Sequence, residues 1–294
     1  MKSEFANSRQ FVRGAARYSD LCYIISKGKG LVQQDIAHSS AICIDGEDWA
    51  DAVDTDWDST ALAVAKKPNE KLVFVGEDGD VCTYVGGQST IEEISPPPKL
   101  IRNAKTVDGY VIVCGMLRQV YQRVNEGEWA DISAPRPEAG EEVGFEAVDG
   151  YSTNELYAVG WNGEIWEYDG SKWFKRESPT NVILTSVCCA PDGTVYIGGQ
   201  NGTLLKGRHE SWEIIDWKDE INIDIWDLCW FNGRLYVAAI NNLFTLDDNQ
   251  LMDVDFGDLE TPSCFCLTQA EGVMWSIGNE DVLSFDGTTW QQYE

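Results

Sequence analysis

The chain has 294 residues, with 22 lysines and arginines against 49 aspartates and glutamates and a formal net charge of −27. That surplus repels polyphosphate backbones and anionic lipid, so nucleic acid and membrane surfaces are excluded as expected partners. No apolar run approaches the roughly 18 residues of a membrane span, and the opening MKSEFANSRQF lacks the apolar stretch of a secretion signal.

The elements follow one pattern from about Phe11 to Glu294. The first unit is the least regular, with SKGKGLVQQDIAHSS set between its second and third strands, and it ends in IDGEDWADAV. Strand pairs then recur in KLVFVGEDGDVCTYV, ELYAVGWNGEIWEYD, GTVYIGGQNGTLLKG, GRLYVAAINNLFTLD and GVMWSIGNEDVLSFD, each preceded or followed by a further short strand. EYDGSKWFKRE and the closing SFDGTTWQQYE have the same form: Asp-Gly between alternating segments marks a tight hairpin, because glycine tolerates the positive φ of a twist-matched turn. Trp49, Ile91, Trp129, Trp173, Trp212, Leu251 and Trp290 mark the last strand of successive units, roughly 40 residues apart.

Four strands per unit at that period predict an all-β fold: a seven-bladed β-propeller of four antiparallel strands per blade, filling residues 1–294 as a single domain. Each blade holds its strands in sequence order, so no strand is exchanged between the termini. Ring closure is expected from packing of blade 7 against blade 1.

The repeats resemble those of the bacterial propellers grouped as YVTN or BNR-like. The Gly-His half of the WD-repeat signature is missing from a chain with two histidines, and Trp226-Asp227 falls in a first strand. SFDGTTW is similar to the sialidase Asp-box in Ser284, Asp286, Thr289 and Trp290, but Gly287 stands one place early. The resemblance implies the propeller fold and does not bring sialidase chemistry with it. Propellers of this kind occur as immunity proteins beside bacterial polymorphic toxins.

No nucleophile, base and orienting group are recognisable together, and arginines do not recur at one position in the blades, so no catalytic residue is expected. His38 and His209 read as solvated. Asp54, Asp56 and Asp58 match the first three ligand positions of a calcium loop, but Ser59 and Ala65 replace its glycine and glutamate, which favours a solvated acidic loop and no metal. Nine cysteines, an odd number, argue for reduced thiols and a cytoplasmic address. Cys188, Cys189, Cys229, Cys264 and Cys266 fall near the crowded axis, where small side chains fit. No cofactor is expected.

In a propeller the links between blades and the loops between second and third strands share one face. The links DTDWDST, SAPRPEAGEEVG, DWKDEINID and DFGDLETPS place Asp54, Asp56, Asp58, Glu141, Glu142, Asp219, Glu220, Asp224 and Asp258 there, with Trp57, Trp161, Trp217 and Phe256 among them. Acids interleaved with aromatics suit a basic protein surface, since charge steers the encounter and aromatic anchors supply buried contact. The expectation is a non-catalytic binder of a basic protein, foremost an immunity protein against a cognate toxin that itself targets nucleic acid. The alternatives are a scaffold or assembly factor, or a propeller enzyme or carbohydrate binder.

Overall fold

Short alternating segments punctuated by glycine turns favour local antiparallel pairing, and in the computed structural model they form seven four-stranded sheets. The structure describes residues 4–217, 223–259 and 263–293. Blade 1 runs from Arg9 to Thr55, blade 2 from Ser59 to Glu93, blade 3 from Ile101 to Asp131 and blade 4 from Phe145 to Arg176. Blades 5, 6 and 7 run from Leu184 to Ile214, Ile225 to Asp253 and Cys266 to Tyr293. Within every blade the strands pair in sequence order, and the first strand of each touches the first strand of the next around the ring. The face where the innermost strands begin is called the entry face below, and the face where they end the exit face.

The core is divided among the joints. Ala61, Val75, Ile101 and Tyr121 fill the gap between blades 2 and 3. Cys229, Phe231, Cys264 and Met274 do so between blades 6 and 7. Side-chain clips reinforce the joints near the axis: Asp149 Oδ2 accepts the Cys189 amide at 2.9 Å, and Asp227 Oδ2 accepts that of Leu267 at 2.8 Å. The second strands repeatedly end in glycine because the link entering the blade crosses there. A Cβ on Gly115 would lie 2.5 Å from the Leu100 carbonyl oxygen, and Gly160 and Gly278 meet Gly144 and Ser263 in the same way.

The ring closes without strand exchange. Phe11, Ile24 and Ile42 of blade 1 pack with Trp275, Ile277 and Val282 of blade 7. Thr268 Oγ1 accepts the Ala16 amide at 3.1 Å, and the Phe11 amide donates to the Asn279 carbonyl at 2.9 Å.

Trp49, Trp129, Trp173, Trp212 and Trp290 occupy equivalent places, each opposite a residue just before its turn: Ile44, Arg123, Tyr168, Gly207 and Phe285. Blade 2 departs from the sequence register. Ser89, opposite Tyr84, holds that place, while Ile91 lies two residues further on, opposite Cys82, and is exposed. An apolar residue was the only cue there, whereas the Gly86-Gly87 turn sets the true count.

The histidines are a second correction. His38 is buried and ties down the blade 1 insertion: its Nε2 accepts the Gly28 amide at 2.9 Å and its Nδ1 lies 2.6 Å from the Ile36 carbonyl. His209 is exposed, yet its Nδ1 sits 2.7 Å from Glu167 Oε1 across the joint between blades 4 and 5.

Candidate functional site

The entry face gathers the links between blades and the second-to-third-strand loops, and most of the acids singled out above are found along it. Asp56, Glu142 and Asp258 are exposed. Asp54 accepts the Ser40 hydroxyl at 2.6 Å, and Asp58 pairs with Lys27 of the blade 1 insertion. Glu141 is exposed and lies 3.7 Å from the Arg118 guanidinium. Asp224 is exposed and accepts the Asn201 amide at 3.0 Å. Asp219 and Glu220 lie outside the described residues. Among the described residues, Asp54, Asp58 and Asp224 are thus engaged with neighbouring groups, while Asp56, Glu142 and Asp258 are open to solvent.

The four aromatic residues have a different placement. Trp217 is 7 % exposed, packs between blades 5 and 6 with Leu204, Ile225 and Phe244, and donates from Nε1 to the Gly202 carbonyl at 2.9 Å. Trp57 is half-buried in the joint of blades 1 and 2, against Gly76, whose missing Cβ makes room for the indole. Phe256 is half-buried with its ring 4.8 Å from that of Trp290. Trp161 is half-buried and donates from Nε1 to Glu146 at 2.6 Å. Trp217 in particular is a plug between sheets, because a flat ring fills the wedge that diverging twisted blades leave.

Other apolar side chains are exposed on this face instead: Leu31, Val32 and Ile36 in the blade 1 insertion, Leu100, Trp226 and Ile240. Sequence reasoning missed them. Trp226 stands in IWDLCWF, which reads as a uniformly buried strand, and only a β-bulge between Ile225 and Asp227 turns its ring out. The insertion carried a signal, since three large apolar residues in a loop are unusual.

The axial channel has a volume of about 540 Å³ and is lined from the middle of the innermost strands toward the exit face. Arg13 of blade 1, Lys105 of blade 3, Asp149 of blade 4 and Asp227 of blade 6 line it, with Cys188, Cys229 and Cys266 of blades 5, 6 and 7. Asp149 and burial act on Lys105 in opposite directions; Asp149, aided by Asp227, prevails and holds the ammonium above its ordinary range. Burial pushes the Asp149 carboxyl up against the pull of Lys105. Burial likewise raises Cys188, to about 12, and Cys266, to about 11, which keeps both as unreactive thiols near neutral pH. Each of the two aspartates already accepts two backbone amides. This arrangement holds neighbouring innermost strands together.

No protein-family profile matches the chain. Among solved structures, YCF48 bound to D1 peptide superposes with a TM-score of 0.69 at 12 % identity, covering 94 % of this chain and 91 % of that one. Sqt1 of Saccharomyces cerevisiae does so at 0.67 and 14 % identity, over 97 % and 84 %. Virginiamycin B lyase of Staphylococcus aureus with quinupristin gives 0.64 at 12 % identity, over 80 % and 83 %. At such identities these likenesses show the fold alone, a propeller architecture shared by proteins of unrelated function. The immune protein Tsi7 of Pseudomonas aeruginosa, by contrast, is 43 % identical over 296 aligned positions that cover 96 % of each chain. An alignment of that extent embraces all seven blades, and the chain belongs to the family of immune protein Tsi7.

Proposed function

We propose that this chain is an immunity protein that protects a bacterium by binding a cognate toxin in the cytoplasm, acting through one propeller domain, residues 1–294. The observation that carries the reading is its 43 % identity, end to end, with an immune protein. Binding without turnover is the favoured mode, because Asp149 and Asp227 of the channel are engaged with backbone amides, and Arg118 and Arg123 are committed to ion pairs between blades. The net charge of −27 supports a basic toxin, one that would itself attract nucleic acid, and an acidic entry face including Asp54, Asp56, Asp58, Glu141, Glu142, Asp224 and Asp258 as the surface that meets it. For Trp57, Trp161 and Phe256, half-buried among these acids, the same reading assigns edge contacts rather than deep anchoring.

The test is co-expression with candidate toxins drawn from the genes beside its own. Growth should be restored by the wild-type chain, and the two proteins should elute together from a sizing column. Protection without a complex, or turnover of toxin or its product by purified protein, would replace the binding reading with an enzymatic one.

A further inference from the structure

Among the described residues nine large hydrophobic side chains are exposed, and six of them lie on the entry face. The other three, Ile91, Ile214 and Met252, sit on outermost strands, where scattered apolar residues are ordinary. Five of the six fall in one sector. Trp226 and Ile240, 42 % and 50 % exposed, belong to blade 6; Leu31, Val32 and Ile36, 40 %, 40 % and 46 % exposed, belong to the blade 1 insertion. Blade 7 separates and joins them. The Cys264 amide donates to the Ile240 carbonyl at 3.0 Å, and Lys29 reaches Glu280 at 2.5 Å.

Trp226 is unusual for its place. Bulges recur at the start of the innermost strands, and elsewhere the extra residue serves the protein. Thr60 Oγ1 donates to the Ile101 carbonyl of the next blade at 2.6 Å, Thr185 does the same to Ile225, and Glu146 holds the Trp161 indole. Blade 6 puts an exposed indole at the position where blades 2, 4 and 5 put a polar side chain that bonds within the protein. An aromatic side chain with a large contact area and few rotors is a favoured anchor at protein interfaces. Exposed acids border the sector at Asp35, Asp224, Asp255 and Asp258, while the cations Lys27 and Lys29 are neutralised by Asp58 and Glu280.

We propose that the sector formed by blades 6, 7 and 1 on the entry face is the anchoring site for a basic, amphipathic segment of the toxin. Its apolar side chains settle between Trp226 with Ile240 and Leu31 with Val32 and Ile36, and its lysines or arginines face Asp35, Asp224, Asp255 and Asp258. The proposal rests on the toxin-binding reading above and specifies which part of the face carries it.

The experiment measures binding of the purified toxin identified by that co-expression to three variants: Trp226→Ala with Ile240→Ser; Leu31→Ser with Val32→Ser and Ile36→Ser; and Leu100→Ser, on the same face but outside the sector. Each of the first two should weaken binding about tenfold or more, mainly through faster dissociation, and Leu100→Ser should stay within about twofold of wild type. Hydrogen exchange on the unmodified complex gives a readout that needs no substitution, with slowed exchange expected over residues 29–36 and 240–242. Unchanged dissociation in both sector variants, or slowed exchange confined to blades 2 to 4, overturns the sector while leaving toxin binding intact. A wild-type chain that does not bind the toxin overturns the toxin-binding reading and the sector with it.

Discussion

Trp217 shows how a single side chain changes meaning with burial. Its indole lies in the joint of blades 5 and 6, so Trp217→Ala should cost about 3–5 kcal/mol of folding stability. Urea unfolding reads this directly, and a loss below about 1 kcal/mol would indicate a surface role instead. Glu70 offers a pH-dependent counterpart. Arg17 donates to it at 2.7 Å, Tyr18 at 2.7 Å, and Lys66 lies at 3.0 Å. The Arg17 guanidinium, with Tyr18 and Lys66, holds the carboxyl down to about 2, below its ordinary 4.5. A depressed carboxylate stabilises the fold fully above its unfolded value and loses that contribution as pH falls toward the folded one. The stability gap between wild type and Glu70→Gln should therefore be constant from neutral pH to about 5 and close by about 2, which denaturant titrations across pH would check.

Elements are held to one another by a few ionic contacts, and the joint of blades 2 and 3 depends on one of them. Arg123 of blade 3 is fully buried and makes two bonds to Glu92 of blade 2, at 2.9 and 2.6 Å. Arg123→Met leaves Glu92 without its counter-charge inside the protein and should cost about 3–5 kcal/mol. Replacing both, with Glu92→Leu, should recover much of that loss, because the desolvation penalty disappears with the pair. A double variant as unstable as the single one would mean that the packing of Arg123, rather than its charge, holds the joint. The misplaced mark in blade 2 has a local cause: strand register is set by the turn, and Gly86-Gly87 moves the equivalent place to Ser89.

At the scale of the whole molecule the charge of −27 acts in two opposite ways. Self-repulsion opposes compaction, so melting temperature should rise with sodium chloride between about 0.01 and 0.15 M, as the Debye length falls from about 30 to about 8 Å. The same screening should slow association with a basic toxin over that range and alter dissociation less. Scanning calorimetry and stopped-flow mixing separate the two. An association rate indifferent to salt would remove charge steering from the account.

The repeat, the four strands per blade, the seven blades and the places of the tryptophans on the last strand of each blade were legible in the linear chain, because each is decided by local turn chemistry and alternation within about 40 residues. So was the acid-rich character of the inter-blade links. Which aromatic residues face solvent was not legible. Trp217 and Trp226 stand nine positions apart in a similar acidic context, yet one plugs a joint and the other projects from a bulge. His38 was equally opaque, since its partner Gly28, ten residues earlier, becomes its neighbour only when the insertion folds back on itself. Burial at a joint depends on where the next blade lies, and a bulge depends on the register of a partner strand. Both are relations between elements, which composition and periodicity do not encode and tertiary packing decides.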